Sequence, residues 1–151
     1  MDVLNQKVSV VTGASRGIGK CIALELAKAG SHVACAATLI ENVLGTVEEI
    51  TNHGGKASAY GCRVEVATEV TDMFSKIEAE VGSVDVLVNN AGISQPQITL
   101  DMTEENWDLH MNVNCKSVFL CSQAAARQMK TQGGGVIVNV GSILGRNAFP
   151  A

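Results

Sequence analysis

Short apolar runs and segments of helical period take turns along nearly the whole chain. "KVSVVTG" (7–13) is a β-branched run ending in glycine, and "CIALELAKAG" (21–30) follows with apolar residues at helical spacing. "SHVACAAT" (31–38) is apolar almost throughout, as a strand covered on both faces should be, and 41–55 places Val43, Val47 and Ile50 on one helical face before a Gly-Gly stop. The unit recurs. Residues 56–64 predict a third strand, 67–82 a helix with Val70, Met73, Phe74, Ile77 and Val81 on one face, and 84–92 a fourth strand. After a loop holding the first of two prolines, 103–134 opens with Thr-x-x-Asn, a weak capping box, and predicts one long helix or two joined ones. Residues 135–142 predict a fifth strand. Strands joined through helices of this length imply βαβ crossovers. The class is therefore α/β, a doubly wound parallel sheet, and with no linker, low-complexity tract or longer repeat, residues 1–151 read as one domain.

Composition excludes several functions. Hydrophobic residues make up 46 % and charged residues 17 %, too apolar for a disordered chain. The 11 basic residues are scattered and the net charge is −4, which argues against nucleic acid as a partner. The 5 cysteines show neither C-x-x-C spacing nor a nearby histidine pair, so they read as reduced, mostly buried thiols, with no metal site. No apolar run approaches the roughly 18 residues a membrane span requires, and the start "MDVLNQK" lacks signal-peptide order. A soluble cytoplasmic protein is expected, with an organelle matrix also open.

The first strand runs into "TGASRGIG" (12–19), where Gly13, Gly17 and Gly19 separate strand from helix. Glycine lets the backbone turn tightly and lets a pyrophosphate approach the amides at the helix N-terminus, where the dipole favours anions. The spacing is G-x-x-x-G-x-G rather than G-x-G-x-x-G. A turn serving only helix-on-strand packing is the plainer alternative.

With T-G-x-x-x-G-x-G at 12–19, N-N-A-G at 89–92 and Ser142 after the fifth strand, the chain resembles the short-chain dehydrogenase/reductase family over essentially its whole length. "VTGASRGIG", "VDVLVNNAGI" and "VNVGSILG" look most like the 3-oxoacyl-carrier-protein reductase branch, although sugar and polyol dehydrogenases share much of this wording. The resemblance implies a Rossmann fold. It places Gly13, Ser15, Arg16, Gly17, Ile18 and Gly19 along the cofactor pyrophosphate and adenine ribose, and Asn89, Ala91 and Gly92 against the adenosine half. Asn114 matches a helix-borne asparagine that holds a water in a proton relay, and Ser142 matches the serine that steadies the substrate carbonyl. Plainer readings stand beside these: Asn89 and Asn90 as turn formers, Asn114 as a helix-surface polar group, Ser142 as a strand-end cap.

The resemblance also bears on the cofactor. Ala37 stands where NAD-using members usually carry Asp, and Thr38 follows, so no carboxylate is there to repel a 2′-phosphate. Arg16 supplies a positive charge that could pair with one. NADP(H) is favoured over NAD(H), with Glu41 weighing the other way. After the third strand Arg63 occupies the family's acidic place beside the adenine; it can donate or stack but cannot accept from the exocyclic amine. Val64 would still supply backbone groups.

In this family a tyrosine moves the proton and a lysine four residues on lowers its pKa from near 10. That Tyr-x-x-x-Lys motif would fall about a dozen residues after the serine. The sole tyrosine is Tyr60, in the third strand and away from the chemistry. The chain is therefore expected to be the N-terminal, cofactor-binding part of a longer reductase, inactive alone, with "GVIVNV" left as an exposed apolar edge. A full-length form is expected to be a homotetramer through the 103–130 helix, acting on a small-molecule or acyl-carrier-bound carbonyl. The rival expectation is a non-catalytic nucleotide-binding isoform that regulates a full-length paralogue.

Overall fold

A computed structural model describes residues 3–145; the last part of "GSILGRNAFPA" lies outside them. Five parallel strands form one sheet in the order β3-β2-β1-β4-β5. They are β1 (Val8–Thr12), β2 (His32–Ala37), β3 (Lys56–Gly61), β4 (Val86–Asn89) and β5 (Val136–Asn139). The first three connections are the helices α1 (Gly17–Lys28), α2 (Glu41–Asn52) and α3 (Ala67–Glu80). The fourth is α4 (Glu104–Met111) and α5 (Ser117–Gln132), joined by a π turn over Asn112–Lys116.

Period-two alternation along β1 sends its side chains into two cores. Val8 and Val10 join Val70, Met73, Phe74 and Ile77 of α3 and Cys121, Ala125 and Met129 of α5. Val11 faces the opposite way, with Val33 and Cys35 of β2, Ala23 and Ala27 of α1, and Val43 and Ile50 of α2. Because β1 is covered on both faces, its five residues are all buried, which is why the run carries no polar alternation.

The elements match the sequence-based expectations, and their limits differ for identifiable reasons. The strand expected over 84–92 stops at Asn89, because the N–H groups of Asn90 and Ala91 turn to the Thr12 hydroxyl. The strand expected over 56–64 stops at Gly61; two residues on, the Arg63 N–H is taken by the Glu69 carboxylate. α1 begins four residues before Cys21, where the helical period was expected to start, inside the glycine turn. The 103–134 segment is one continuous helix: Asn112 (φ −65°, ψ −46°) and Ser117 (φ −59°, ψ −41°) keep right-handed helical backbone across both joints of the π turn. Thr103 caps it, accepting the Asn106 N–H at 3.2 Å. Gly133, at φ 94°, ends it in a left-handed turn.

β5 is an edge strand, with Val136 56 % and Val138 45 % exposed, as the sequence led us to expect of "GVIVNV". Among the described residues no helix is long and apolar enough to cross a membrane.

Candidate functional site

β1 is followed spatially by β2 on one side and β4 on the other, so the chain's connections leave it in opposite directions. In open α/β sheets such a reversal opens a crevice beyond the carboxyl ends of the strands. Here it is a cleft of about 790 Å³, within the ordinary range for small-molecule sites.

Its floor is the glycine turn. Gly13, at φ +66°, is pressed so closely on the end of β4 that a Cβ would come within 2.9 Å of the Ala91 Cα. Gly19, inside α1, packs on the Gly13 carbonyl: a Cβ there would sit 2.1 Å from that oxygen. Gly17, at φ +55°, has nothing within 4 Å of its Cβ position and leaves open room for a group to approach the backbone. The turn is held from behind, with Ala14 N–H donating to the Ala36 carbonyl at 3.0 Å and the Thr46 hydroxyl to the Ala14 carbonyl at 2.9 Å. α1 starts from Arg16 in extended backbone, with no side-chain cap and no acidic residue in its first turn. Its leading N–H groups and dipole therefore favour an anion.

The Thr12 hydroxyl fastens the far wall. It accepts from the N–H groups of Asn90 and Ala91, both at 3.0 Å, and lies 3.4 Å from the Val88 carbonyl to which it donates. The Asn90 amide returns the contact, donating to the carbonyls of Thr12 at 3.0 Å and Gly13 at 3.2 Å. Glycine turn and β4 end thus form one rigid unit. Ala37, Thr38 and Asn42 close the cleft beyond β2, and Cys62, Val64 and Glu65 beyond β3. Burial pushes the Cys62 thiol up to about 12, so this wall presents a neutral sulfur.

Comparison with known proteins agrees with this geometry. The sequence pattern of the short chain dehydrogenase family matches residues 7–151. The chain belongs to the short-chain dehydrogenase family. It is 44 % identical over 145 residues to a 3-oxoacyl-[acyl-carrier-protein] reductase of Staphylococcus aureus, covering 95 % of this chain and 59 % of that protein. The reductase of the same name from Thermotoga maritima is 38 % identical over 142 residues, 94 % of this chain and 58 % of that one. A crystal structure of a short-chain type dehydrogenase/reductase from Mycobacterium marinum superposes with a TM-score of 0.96 at 39 % identity, over 99 % of this chain and 59 % of that chain. The chain thus spans under two thirds of the length of these relatives.

Within this chain, Gly13, Ser15, Arg16, Gly17, Ile18 and Gly19 all line the cleft, as do Ala37, Thr38, Val64, Ala91 and Gly92. Two other expected cofactor residues lie elsewhere. Arg63 is absent from the described lining: its backbone N–H and guanidinium both engage the Glu69 carboxylate at the start of α3, leaving the wall to its neighbours. Asn89 is buried below the cleft, where its amide donates to Ser122 of α5 at 3.0 Å and Asn139 of β5 at 2.8 Å. It ties β4 to the next strand and helix.

Asn114 lies on the π turn, a distortion often found at functional sites. Its amide grips Ile93, accepting the backbone N–H at 2.8 Å and donating to the carbonyl at 3.0 Å, so the grip reaches the cleft through a lining residue. Ser142 is exposed after β5, its hydroxyl accepting the Leu144 N–H at 3.2 Å in a short 3-10 turn; it is not among the described lining residues. Tyr60 lies on β3, the strand at the opposite edge of the sheet from β5, with its hydroxyl donating to Glu80 at 3.0 Å. Burial foremost, with the Glu80 bond, pushes it up to about 12, the wrong direction for a proton-transfer tyrosine.

Sequence reasoning left Asn42, Cys62, Glu65, Asn90, Ile93 and Val113 out of the site. For Asn90 the signal was available: an amide beside the fourth-strand end has glycine-turn carbonyls to meet. Nothing in the local wording marks Asn42, which reaches the cleft because α2 begins where β2 ends.

Proposed function

We propose that the chain is the dinucleotide-binding part of an NADP(H)-dependent oxidoreductase that passes a hydride between nicotinamide and a carbonyl or alcohol carbon, with a 3-oxoacyl thioester or similar ketone as substrate. The observation that carries this reading is the glycine-floored cleft at the free N-terminus of α1. A pyrophosphate fits there, since Gly17 leaves its approach open and the helix supplies unpaired N–H donors. When bound, the nicotinamide would supply the hydride at its C4; this chain's residues bind and orient.

Two features support the phosphorylated cofactor. Ala37 and Thr38 line the cleft where an acid would select the free ribose, and Arg16 lines it with a cation. Glu41 is not among the described lining residues, whereas its neighbour Asn42 is. The substrate class rests on the names of the 3-oxoacyl-carrier-protein reductases. In the full-length form Ser142 and Asn114 support catalysis, and the protein works in the cytoplasm. That form assembles as a homotetramer through the 103–130 helix, a reading supported by the exposed Trp107, Met111 and Phe119.

Calorimetric titration of the 151-residue chain with NADPH and NADH tests the binding step. NADPH is expected to bind more tightly. Arg16→Ala should weaken NADPH about tenfold or more, the worth of one charge-assisted contact, and leave NADH nearly unchanged. No binding of either nucleotide would overturn the reading. A chain extended past Ala151 is expected to reduce a 3-oxoacyl thioester with NADPH, whereas the shorter chain binds without turnover.

A further inference from the structure

The loop leaving β4 passes from Gly92 and Ile93, which line the cleft, to Gln95, and one face of the helix beneath holds it at two points. Asn114 takes Ile93. One helical turn earlier, His110 takes Gln95: its ring Nε2 accepts the Gln95 N–H at 3.0 Å, while Nδ1–H donates to the Asn106 carbonyl at 2.8 Å. Alternate N–H groups of an extended chain are about 7 Å apart. Side chains four residues apart on a helix rise by about 6 Å, which brings both anchors under the loop at once.

The partners fix the chemistry of the ring. A backbone N–H can only donate and a carbonyl can only accept, so Nε2 must carry a lone pair and Nδ1 the proton. His110 is thereby confined to one tautomer of the neutral imidazole. An imidazolium would point a second N–H at the Gln95 N–H, and the loop would lose that anchor. The facing loop, residues 90–98, has no titratable side chain. On α4 and the π turn, Glu104, Glu105, Asp108, Cys115 and Lys116 are the other titratable groups, and none forms a described ion pair with the ring.

We propose that His110 is a positioning residue of the nucleotide cleft: as a neutral Nδ1–H imidazole it anchors Gln95 beside the Asn114–Ile93 contact and so sets the Gly92–Ile93 wall. Protonation of the ring releases the anchor and weakens nucleotide binding. The role rests on the cleft's taking a dinucleotide; the anchor itself does not.

The 151-residue chain labelled with 15N, together with His110→Leu and His110→Gln, tests both parts. Glutamine keeps an acceptor near the Nε2 position and cannot be protonated. The wild-type ring should show the Nδ1–H tautomer in its 15N shifts. Gln95 amide exchange should speed up about tenfold in His110→Leu, the equivalent of one hydrogen bond, and stay near wild type in His110→Gln. NADPH affinity should fall several-fold in His110→Leu and be rescued in His110→Gln. In acid the wild type should approach His110→Leu while His110→Gln stays level. A protonated Nε2 in the neutral ring, or unchanged Gln95 exchange in His110→Leu, overturns the anchor. Lost protection with unchanged NADPH affinity overturns the positioning role. Should His110→Leu fail to fold, an affinity of His110→Gln that falls with acid as the wild type's does overturns the proposal. If the wild type binds no nucleotide, the dinucleotide reading fails, and the positioning role with it, while the exchange data still decide the anchor.

Discussion

Two helical glycines, Gly19 in α1 and Gly45 in α2, should respond to the same substitution with opposite signs. Replacing glycine by alanine inside a helix removes an entropic cost of roughly 0.5–1 kcal/mol. Gly45 has nothing within 4 Å of its Cβ position, so Gly45→Ala should stabilise the protein by about that amount. At Gly19 the added Cβ would lie 2.1 Å from the Gly13 carbonyl oxygen and 2.4 Å from the Asn90 amide nitrogen. Backbone cannot yield by changing rotamer, so α1 or the glycine turn must shift by about 1 Å to restore contact distance. Overpacking of this kind costs about 3 kcal/mol, which leaves a net loss of about 2 kcal/mol after the helical gain. Urea unfolding followed by circular dichroism measures both variants, with the slope checked for constancy. The shift should also move the Asn90 contact, so Gly19→Ala should weaken NADPH binding and Gly45→Ala should not. A Gly19→Ala midpoint at or above wild type would refute the close-packed picture of the cleft floor.

Thr12→Val keeps the shape but leaves the Asn90 and Ala91 N–H groups without their acceptor, and should cost about 2 kcal/mol in urea unfolding, whereas Thr12→Ser should retain most of that. Tyr60 should titrate near pH 12 by its ultraviolet tyrosinate band. Its folded pKa lies above the unfolded value near 10, so its contribution to stability is complete below pH 10 and fades as pH rises through about 12. Tyr60→Phe should flatten that alkaline limb. Cys35, Cys62 and Cys121 are buried with thiols pushed up to about 12, while Cys21 and Cys115 are exposed. A thiol-specific reagent near pH 8 should therefore label Cys21 and Cys115 rapidly and the other three only on unfolding.

The apolar runs and helical faces were legible because burial imposes a period. Val70, Met73, Phe74 and Ile77 had to share a face if α3 was to cover the sheet, and they do. Glycines without side chains carry no such period, which is why the start of α1 was misplaced while the turn itself was readable from its spacing. Arg63 and Asn89 show the limit of position in the chain. Arg63 adjoins the cleft in sequence, yet Glu69, six residues on, draws it away; Asn89 adjoins it too, yet Ser122 and Asn139 lie within reach below.

The sequence by itself determined the α/β class, the glycine turn and the family, since each depends on residues close together or on a fixed order of motifs. Tertiary structure alone decided that Thr12 and Asn90, 78 positions apart, would lock the turn to β4, and that one tautomer of His110 would meet Gln95. Hydrogen bonds are directional and short, so whether a polar side chain faces a ligand or a neighbouring backbone is set by angstroms between distant segments.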